Sequence, residues 1–443
     1  MGRIGTLAIV LFMIVGASIL GGPASVCAQA ERLTLEQCID IALEKNLGII
    51  SKEAAADRAK YDRLDAWGAA LPNVSTDARY SYSKSYGRLF IQLPDTSYIG
   101  EDPGSKRYST GIGISMTLFD GGYTWFRIKQ ANQFKRAADN DLQDAINGTA
   151  YQVKIAYYSL LREIMLKRVQ QDALARSKKQ LEVTSSRYDL GSASLSEKLK
   201  AQVTVANDSL QLLQRENSIR AAEFSLNIIM NRDVALRLDP ADSMRAETMT
   251  RGLEELLSSG ISSNPGLMRS KADMDAAQTG VWMSKRSWLP RVSASMGWNW
   301  SPSEGGDWFK YKTEDKSYSF GVSFSYDLFD GFAKKTDYSR AKLTAMTARE
   351  SYQNDVNTLN SEVRQAYLDY DKSRLQLEVA ELGARSAEED MKLQQERYRL
   401  GASSILELLD AQVSLTQAQS NLVQAYYDLN KAIADIAKAT GGR

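Results

Sequence analysis

With no histidine among its 443 residues, the chain's chemistry rests on carboxylates, amines, hydroxyls and thiols. Schemes that need an imidazole base, and zinc sites built on imidazole, are excluded. Lys+Arg 55 against Asp+Glu 54 leaves a net charge of +1, which offers no general attraction to nucleic acid. The acids that stand out do so by spacing. Glu407 and Asp410 lie three residues apart, on one face of any helix that holds them. Glu197 occupies the corresponding place 210 residues earlier, and there Lys200 stands opposite Asp410. As bare sequence these residues make a solvated charged face. No nucleotide-binding glycine motif and no asymmetric polar cluster accompanies them, so neither a cofactor nor an enzyme activity is expected.

Both acidic stretches follow a break: Leu190-Gly191-Ser192-Ala193-Ser194 and Leu400-Gly401-Ala402-Ser403-Ser404, preceded by Arg187, Tyr188, Arg397 and Tyr398. Glycine there permits the positive φ with which many helices end. Around the breaks, helix-breaking residues nearly vanish. Only Gly148 interrupts 123–190, only Gly383 interrupts 333–400, and no proline falls in 104–239 or after 302. Such spans, rich in Ala, Leu, Gln, Lys and Glu, predict long helices. Some 65 residues of helix would run roughly 100 Å at 1.5 Å per residue. Leu408, Leu415, Leu422, Leu429 and Ile436 repeat every seven residues, beside an alanine stripe at 411, 418, 425 and 432. That period means a left-handed supercoil with closely approaching neighbours. The first copy keeps Val205, Leu212, Ile219 and Leu226 but puts Asp208 and Arg215 where alanines stand in the second.

The order of parts occurs twice. LFDGG at 118–122 recurs as LFDGF at 328–332, and RYDLGSAS at 187–194 as RYRLGASS at 397–404, both 210 residues on. LPNVS at 71–75 recurs as LPRVS at 289–293, and LEQCIDIALEKN at 35–46 corresponds to LEELLSSGISSN at 253–264, both 218 residues on. Between these marks the period changes to two. Val74, Thr76, Ala78, Tyr80 and Tyr82 alternate with small or polar residues, as do Ile112, Ile114, Met116 and Leu118. In the second copy Val292, Ala294, Met296, Trp298 and Trp300 alternate likewise, as do Tyr318, Phe320, Val322, Phe324 and Tyr326. Strand pairs are expected at about 72–83 with 108–119 and 290–301 with 318–329. About 9–11 residues suffice for a tilted strand to cross a bilayer. One apolar face with aromatics toward an end suits lipid, while half-buried strands of a soluble sandwich are the other reading. The joining segments 84–107 and 302–317, with Asp95, Glu101, Lys106, Glu304, Asp307 and Lys316, read as exposed loops.

The start reads as a secretory signal peptide. Arg3 precedes an apolar run from Leu7 to Leu20, then small residues with cleavage after Ala28 or Ala30. Cys38 is then the single thiol, read as a small buried hydrophobe beside Leu35, Ile39 and Ala42. The mean hydropathy of −0.36 is low for a bundle of membrane helices. Four strands per chain cannot close a barrel, and hydrocarbon does not tolerate open sheet edges. Several chains must share one: eight strands leave a filled lumen, whereas twelve leave a pore.

LTLEQCIDIALEKN, the two LP-x-VS and LFDG marks, and above all RYRLGASSILELLDAQ at 397–412 make the mature chain resemble the TolC-like outer-membrane efflux proteins. The resemblance implies a fold that is mainly α with membrane β. Two structural repeats would supply long antiparallel coiled-coil helices to an α-barrel and four transmembrane strands per protomer to a shared trimeric twelve-strand β-barrel. The expected parts are a signal peptide at 1–28, a first repeat at 29–230 with a helical hairpin at 123–230, an equatorial linker at 231–252, and a second repeat at 253–443 with a hairpin at 332–438. Thr34 and Gln37 could form a capping box at the start of the first helix.

The implied function is a passive exit duct of a tripartite efflux pump or type I secretion system, carrying small molecules or polypeptides across the outer membrane of a Gram-negative-type bacterium. The implied partners are two further copies, a periplasmic adaptor, an inner-membrane pump or ABC transporter, and outer-membrane lipid. Arg187, Leu190, Gly191, Ser194, Arg397, Tyr398, Leu400, Gly401 and Ser404 correspond to tips that dock the adaptor. Glu407, Asp410 and Glu197 correspond to acids at the periplasmic aperture, where a carboxylate ring favours cations. Ser403 stands where the family's best-known pattern has a basic bonding partner. The alternative reading is an exported coiled-coil structural protein without channel activity.

Overall fold

Two distinct sequence periods give two stacked layers, a sheet and a helical layer continuous with it. The computed structural model describes residues 31–442 apart from 85–87, 93, 95–96, 102–103, 247–248 and 303–314. The signal-peptide reading, its cleavage positions and the loop residues Asp95, Glu304 and Asp307 lie outside the described residues. The first repeat contains β1 (Glu31–Leu33), α1 (Leu35–Lys45), α2 (Leu47–Gly68), β2 (Asn73–Ser83), β3 (Arg88–Gln92), β4 (Ser97–Glu101), β5 (Ser105–Phe119), α3 (Tyr123–Asp189) and α4 (Leu195–Ile229). After β6 (Leu238–Pro240) come α5 (Leu253–Ser263), α6 (Pro265–Arg286), β7 (Arg291–Trp300), β8 (Lys316–Ser325), α7 (Ala333–Arg399) and α8 (Ile405–Ala439).

The four long strands form one antiparallel sheet in the order β2-β5-β7-β8. Register puts the expected apolar residues that pair across the strands on one face, while Leu118 falls at a bulge and Tyr326 lies beyond β8. Val74 and Thr76 pair with Ile114 and Ile112, which pair with Met296 and Trp298, which pair with Phe320 and Tyr318. These side chains are largely exposed: Phe320 is 79% and Met296 56% accessible. The opposite face carries Ser75, Gly113, Gly297 and Ser319 in the same cross-strand row. β2 and β8 are the outer strands, each paired on one side among the described residues.

Three boundaries differ from the sequence expectation, the first being Lys316, expected in a joining loop but opening β8 opposite Trp300. The strand expected at 318–329 stops at Ser325, which pairs with Arg291. The residue before Arg291 is Pro290, which has no N–H to extend the ladder. The segment 84–107 is not all loop, because β3 and β4 pair as an antiparallel hairpin and β5 begins at Ser105.

Beyond the sheet, α3 packs against α2 and α6, and α6 packs against α7. Farther along, α3 packs against α4 and α8, and α8 packs against α7. The layer therefore reads α2-α3-α6-α7 near the sheet and α4-α3-α8-α7 far from it. The expected stripes are its core: Leu408, Leu415, Leu429 and Ile436 are buried, as are Ala411, Ala425 and Ala432. The charged replacements in the first copy find partners on α3. Gln170 donates to Asp208, and Arg215 reaches Glu163 at 3.4 Å. No described helix is long and apolar enough to cross a membrane.

Each repeat has its own core where the long helices meet the short ones. Cys38, Val153, Ile219 and Leu226 in the first correspond to Leu256, Val363, Leu429 and Ile436 in the second. Burial raises the Cys38 thiol to about 11, which keeps it protonated and inert. Thr34 and Gln37 form a complete capping box on α1. Asn46 and Asn264 cap α2 and α6 at matching places. β1 pairs parallel with β6, bringing the linker back to the chain start. The hydroxyl of buried Tyr157 on α3 fastens this junction. It donates to the Asp242 carboxylate at 2.9 Å and lies 3.1 Å from the Leu33 carbonyl. Replacing Tyr157 by Phe removes both bonds, leaving the Leu35 amide on Asp242 and the Ala241 amide on the Leu33 carbonyl, and should cost about 0.5–1.5 kcal/mol. A lowered thermal midpoint in detergent, with helix content unchanged, checks this; an unaltered midpoint refutes it.

Candidate functional site

Both hairpin breaks fold alike, because each offers the same backbone a glycine at the same place. Gly191 and Gly401 both have φ +74. The Ser192 and Ala402 amides donate to the Arg187 and Arg397 carbonyls, each at 2.8 Å. The Gly191 and Gly401 amides donate to the Tyr188 and Tyr398 carbonyls at 2.9 and 3.1 Å. These paired bonds satisfy carbonyls that the helix end leaves open. Three residues after each glycine, serine caps the next helix. Ser194 accepts from the Glu197 amide at 3.2 Å, and Ser404 accepts from the Glu407 amide at 3.3 Å. Leu190 and Leu400 project into solvent, 83% and 71% exposed.

The structure draws the two tips together. The Arg187 guanidinium lies over the Tyr398 ring at 5.1 Å, joining the first hairpin to the second. Tyr398 is buried with Met391, Ile405, Leu408, Ala411 and Leu415, a core confined to the second tip. Its hydroxyl is buried with no hydrogen-bond partner, so packing and the cation hold the ring. Lys198 covers the Tyr188 ring at 4.9 Å and reaches Asp189 at 3.7 Å. Just past the tips, Leu195, Leu199 and Val203 of α4 face Leu406 and Leu409 of α8 across an open groove of about 650 Å³. Sequence reasoning passed over this groove. Its signal was leucine kept exposed beside each acid, in LSEKL and ILELL.

The acids are arranged differently in the two repeats. Ser403 donates to the Glu407 carboxylate at 2.6 Å, and Ser404 lies 3.4 Å from its other oxygen. The Ser403 bond holds the Glu407 carboxyl below its ordinary value of 4.5, with help from nearby Arg397. Arg397 in turn reaches the Ala402 carbonyl at 3.4 Å. Asp410 is exposed one turn farther along the same face. Glu197 is engaged with its own cap, its carboxylate 3.3 Å from Ser194. Among the described residues no hydrogen bond or ion pair joins Glu197 to Glu407 or Asp410. The position expected to hold a basic partner thus holds a hydroxyl that serves the carboxylate within one chain.

The model of the outer membrane efflux protein family matches residues 38–232 and 256–442. The pyoverdine export outer membrane protein OpmQ of Pseudomonas aeruginosa is 23% identical over 389 residues, 86% of this chain and 79% of that protein. The outer membrane protein TolC of Escherichia coli (strain K12) is 21% identical over 385 residues, 82% of this chain and 73% of that protein. Among solved structures, the outer-membrane channel OprN superposes with a TM-score of 0.80 at 22% identity, over 92% of this chain and 90% of that one. The outer membrane protein VceC of Vibrio cholerae gives 0.80 at 17%, over 92% and 96%. At these identities the structural likeness carries the fold.

Gly401 has open space where a Cβ would go, so Gly401→Ala meets only the left-handed backbone penalty. It should destabilise the tip by about 1–2 kcal/mol. Gly148, inside α3 and also unobstructed, should gain roughly 0.5–1 kcal/mol as alanine. Thermal melts of the two variants are expected to move in opposite directions; shifts of the same sign would contradict the assigned backbone.

Proposed function

The chain belongs to the outer membrane efflux protein family, and on that premise we propose that three copies form a passive exit duct through the outer membrane. The observation that carries this reading is the single apolar face spanning all four long strands of a sheet with two outer edges. An open edge cannot face hydrocarbon, because its N–H and C=O groups would go unpaired. Pairing β8 of one copy with β2 of the next closes the sheet, and three copies give a twelve-strand barrel wide enough for water. The small polar residues of the opposite face then line the lumen.

The helical layer supports the same closure. Its outer helices carry apolar residues that no described element covers: Leu199, Val203 and Leu210 on α4, and Leu368, Leu375 and Leu382 on α7. The α7 leucines keep the seven-residue spacing of a coiled-coil seam. α7 of one copy against α2 and α4 of the next would bury both stripes. The tips then ring the periplasmic end, where Arg187, Leu190, Gly191, Ser194, Arg397, Tyr398, Leu400, Gly401 and Ser404 present a surface to a periplasmic adaptor. Energy comes from an inner-membrane pump or ABC transporter. Threefold symmetry gathers Glu407, Asp410 and Glu197 around the aperture, whose field favours cations.

Planar bilayers containing the purified protein should show stable, cation-selective conductance; its complete absence defeats the duct. Glu407→Ala and Asp410→Ala should each reduce cation preference, read as the reversal potential in a salt gradient. Unchanged selectivity in both would remove these acids from the aperture. The pH dependence has a definite sign. Because the Ser403 bond favours ionised Glu407, its charge persists as pH falls below 4.5. In Ser403→Ala, selectivity should decline at a higher pH than in the unaltered protein. Coincident pH profiles would show that the hydroxyl does not tune the acid.

A further inference from the structure

We propose that the cleft between α2 and α3, lined by Arg63, Lys129, Lys135 and Arg136, binds the phosphate of an anionic phospholipid in the leaflet facing the helices. The proposal rests on the membrane reading above and adds a defined lipid site to it. The cleft has a volume of about 620 Å³, and its one acid, Asp139, is already bound to Lys135. Arg63, Lys129 and Arg136 make no ion pair among the described residues. Three cations in one cleft without a counter-charge repel each other unless an anion joins them.

The cleft lies at the depth of lipid headgroups. α2 ends at Gly68 just before β2, and α3 begins at Tyr123 just after β5, so both helices meet the sheet here. Trp67 and Trp125 touch edge to face at 6.0 Å across the two helices, 45% and 62% exposed. Exposed tryptophans beside an apolar barrel face sit at the membrane–water interface. Lys129 and Arg136 follow Trp125 by four and eleven residues, on its helical face, and Arg63 precedes Trp67 by four. Four residues of helix place Arg63 and Lys129 roughly 6 Å beyond the tryptophans, within a headgroup zone of roughly that depth.

Side-chain direction narrows the gap between Arg63 and Arg136, which start roughly 6 and 16 Å beyond the tryptophans. Helical side chains lean toward the N-terminus. On α3 that direction is toward the bilayer, so Lys129 and Arg136 reach up. On α2 it is away from the bilayer, so Arg63 reaches down toward Arg136, while Lys129 lines the bilayer side of the cleft. Half-buried Arg63 can present a planar fork that two phosphate oxygens accept from, while the lysines supply point charge. The contrast with another part of α3 is informative. Arg127, about 200° around the helix from Trp125, is paired with Asp65 at 2.6 Å. Arg127 is thus neutralised within the protein, whereas Lys129 and Arg136 on the tryptophan face make no ion pair among the described residues.

The test is native mass spectrometry of the assembled protein released from nanodiscs of equal phosphatidylglycerol and phosphatidylcholine. Unaltered protein should retain phosphatidylglycerol about tenfold or more over phosphatidylcholine, since each surface cation favours an anionic lipid. Arg63→Gln/Lys129→Gln/Arg136→Gln should bring that ratio close to one, while Arg63→Lys/Arg136→Lys keeps most of it. Lys129→Gln/Arg136→Gln, which alters only exposed side chains, should reduce the ratio at least about threefold and guards against misfolding of the triple variant. Equal retention of both lipids by unaltered protein, or a preference that survives in the glutamine variants, overturns the proposal. So does displacement of the bound lipid by millimolar glycerol 3-phosphate, which would assign the cleft to a soluble anion. Failure to enter nanodiscs at all would overturn the membrane reading itself, and this site with it.

Discussion

The pairing of β5 with β7 is the join on which the rest of the molecule depends. Among the described residues it is the one strand pairing between the two repeats, from Thr110 opposite Trp300 to Phe119 opposite Val292. Because α3 leaves β5 and α6 enters β7, the same pairing sets those helices side by side, and their contact passes on to α8. Close approach at the join demands glycine. Gly121 has φ +71, and a Cβ there would come within 2.7 Å of the Leu289 side chain and 3.1 Å of the Arg286 carbonyl. The first residue of GG in LFDGG is therefore fixed by backbone and neighbour together. In the second copy Gly331 has φ +68 but open space, since no third repeat packs there within the chain. The equivalent surface is left for another copy in the proposed trimer.

Long helices around water set a different constraint. They must be apolar enough to pack and polar enough to face solvent on both sides of the layer. The solution is a narrow stripe on each, two positions in seven, which leaves most of every helix free for Gln, Lys, Glu and Ser. That explains a mean hydropathy of −0.36 in a chain with a large lipid-facing surface. Only half the residues of four strands need to be apolar. Composition alone, averaged over both layers, therefore resembles that of a soluble helical protein.

What was legible in the sequence was whatever a local rule decides. Depletion of glycine and proline marked α3, α4, α7 and α8, and period-two alternation marked the four long strands with the correct face. The capping box at Thr34 and the tip glycines were also visible, because caps are made by residues a few positions apart. Strand ends were not, since β8 stops where its partner runs out of donors at Pro290. The β3–β4 hairpin was missed because five-residue strands carry too few alternations to distinguish from loop. At the tips, the acids could be named but not their bonds. Whether Ser403 or Ser404 takes the closer oxygen of Glu407 depends on rotamers that both spacings allow. The basic cleft was hidden for another reason: Arg63 and Lys129 meet only after α2 packs on α3.

Divergence between the repeats bears on the aperture itself. Identical repeats in three copies would surround the tips with six equal positions. Here Ala193 stands where the second tip has Ser403, and Lys200 where it has Asp410. Six aspartates converging on a narrow opening would repel one another strongly, and the more so the less water the opening admits. In the proposed trimer, lysine at alternate places would relieve that repulsion while leaving three aspartates and six glutamates. The hydroxyl is confined to the same repeat as the aspartate, and its bond to Glu407 favours the ionised carboxylate. Charge and the hydroxyl that serves it thus lie together at the second tip, while the first repeat supplies Arg187 to hold Tyr398 across the hairpins. The two repeats keep one backbone at their tips and divide the work of charge and restraint between them.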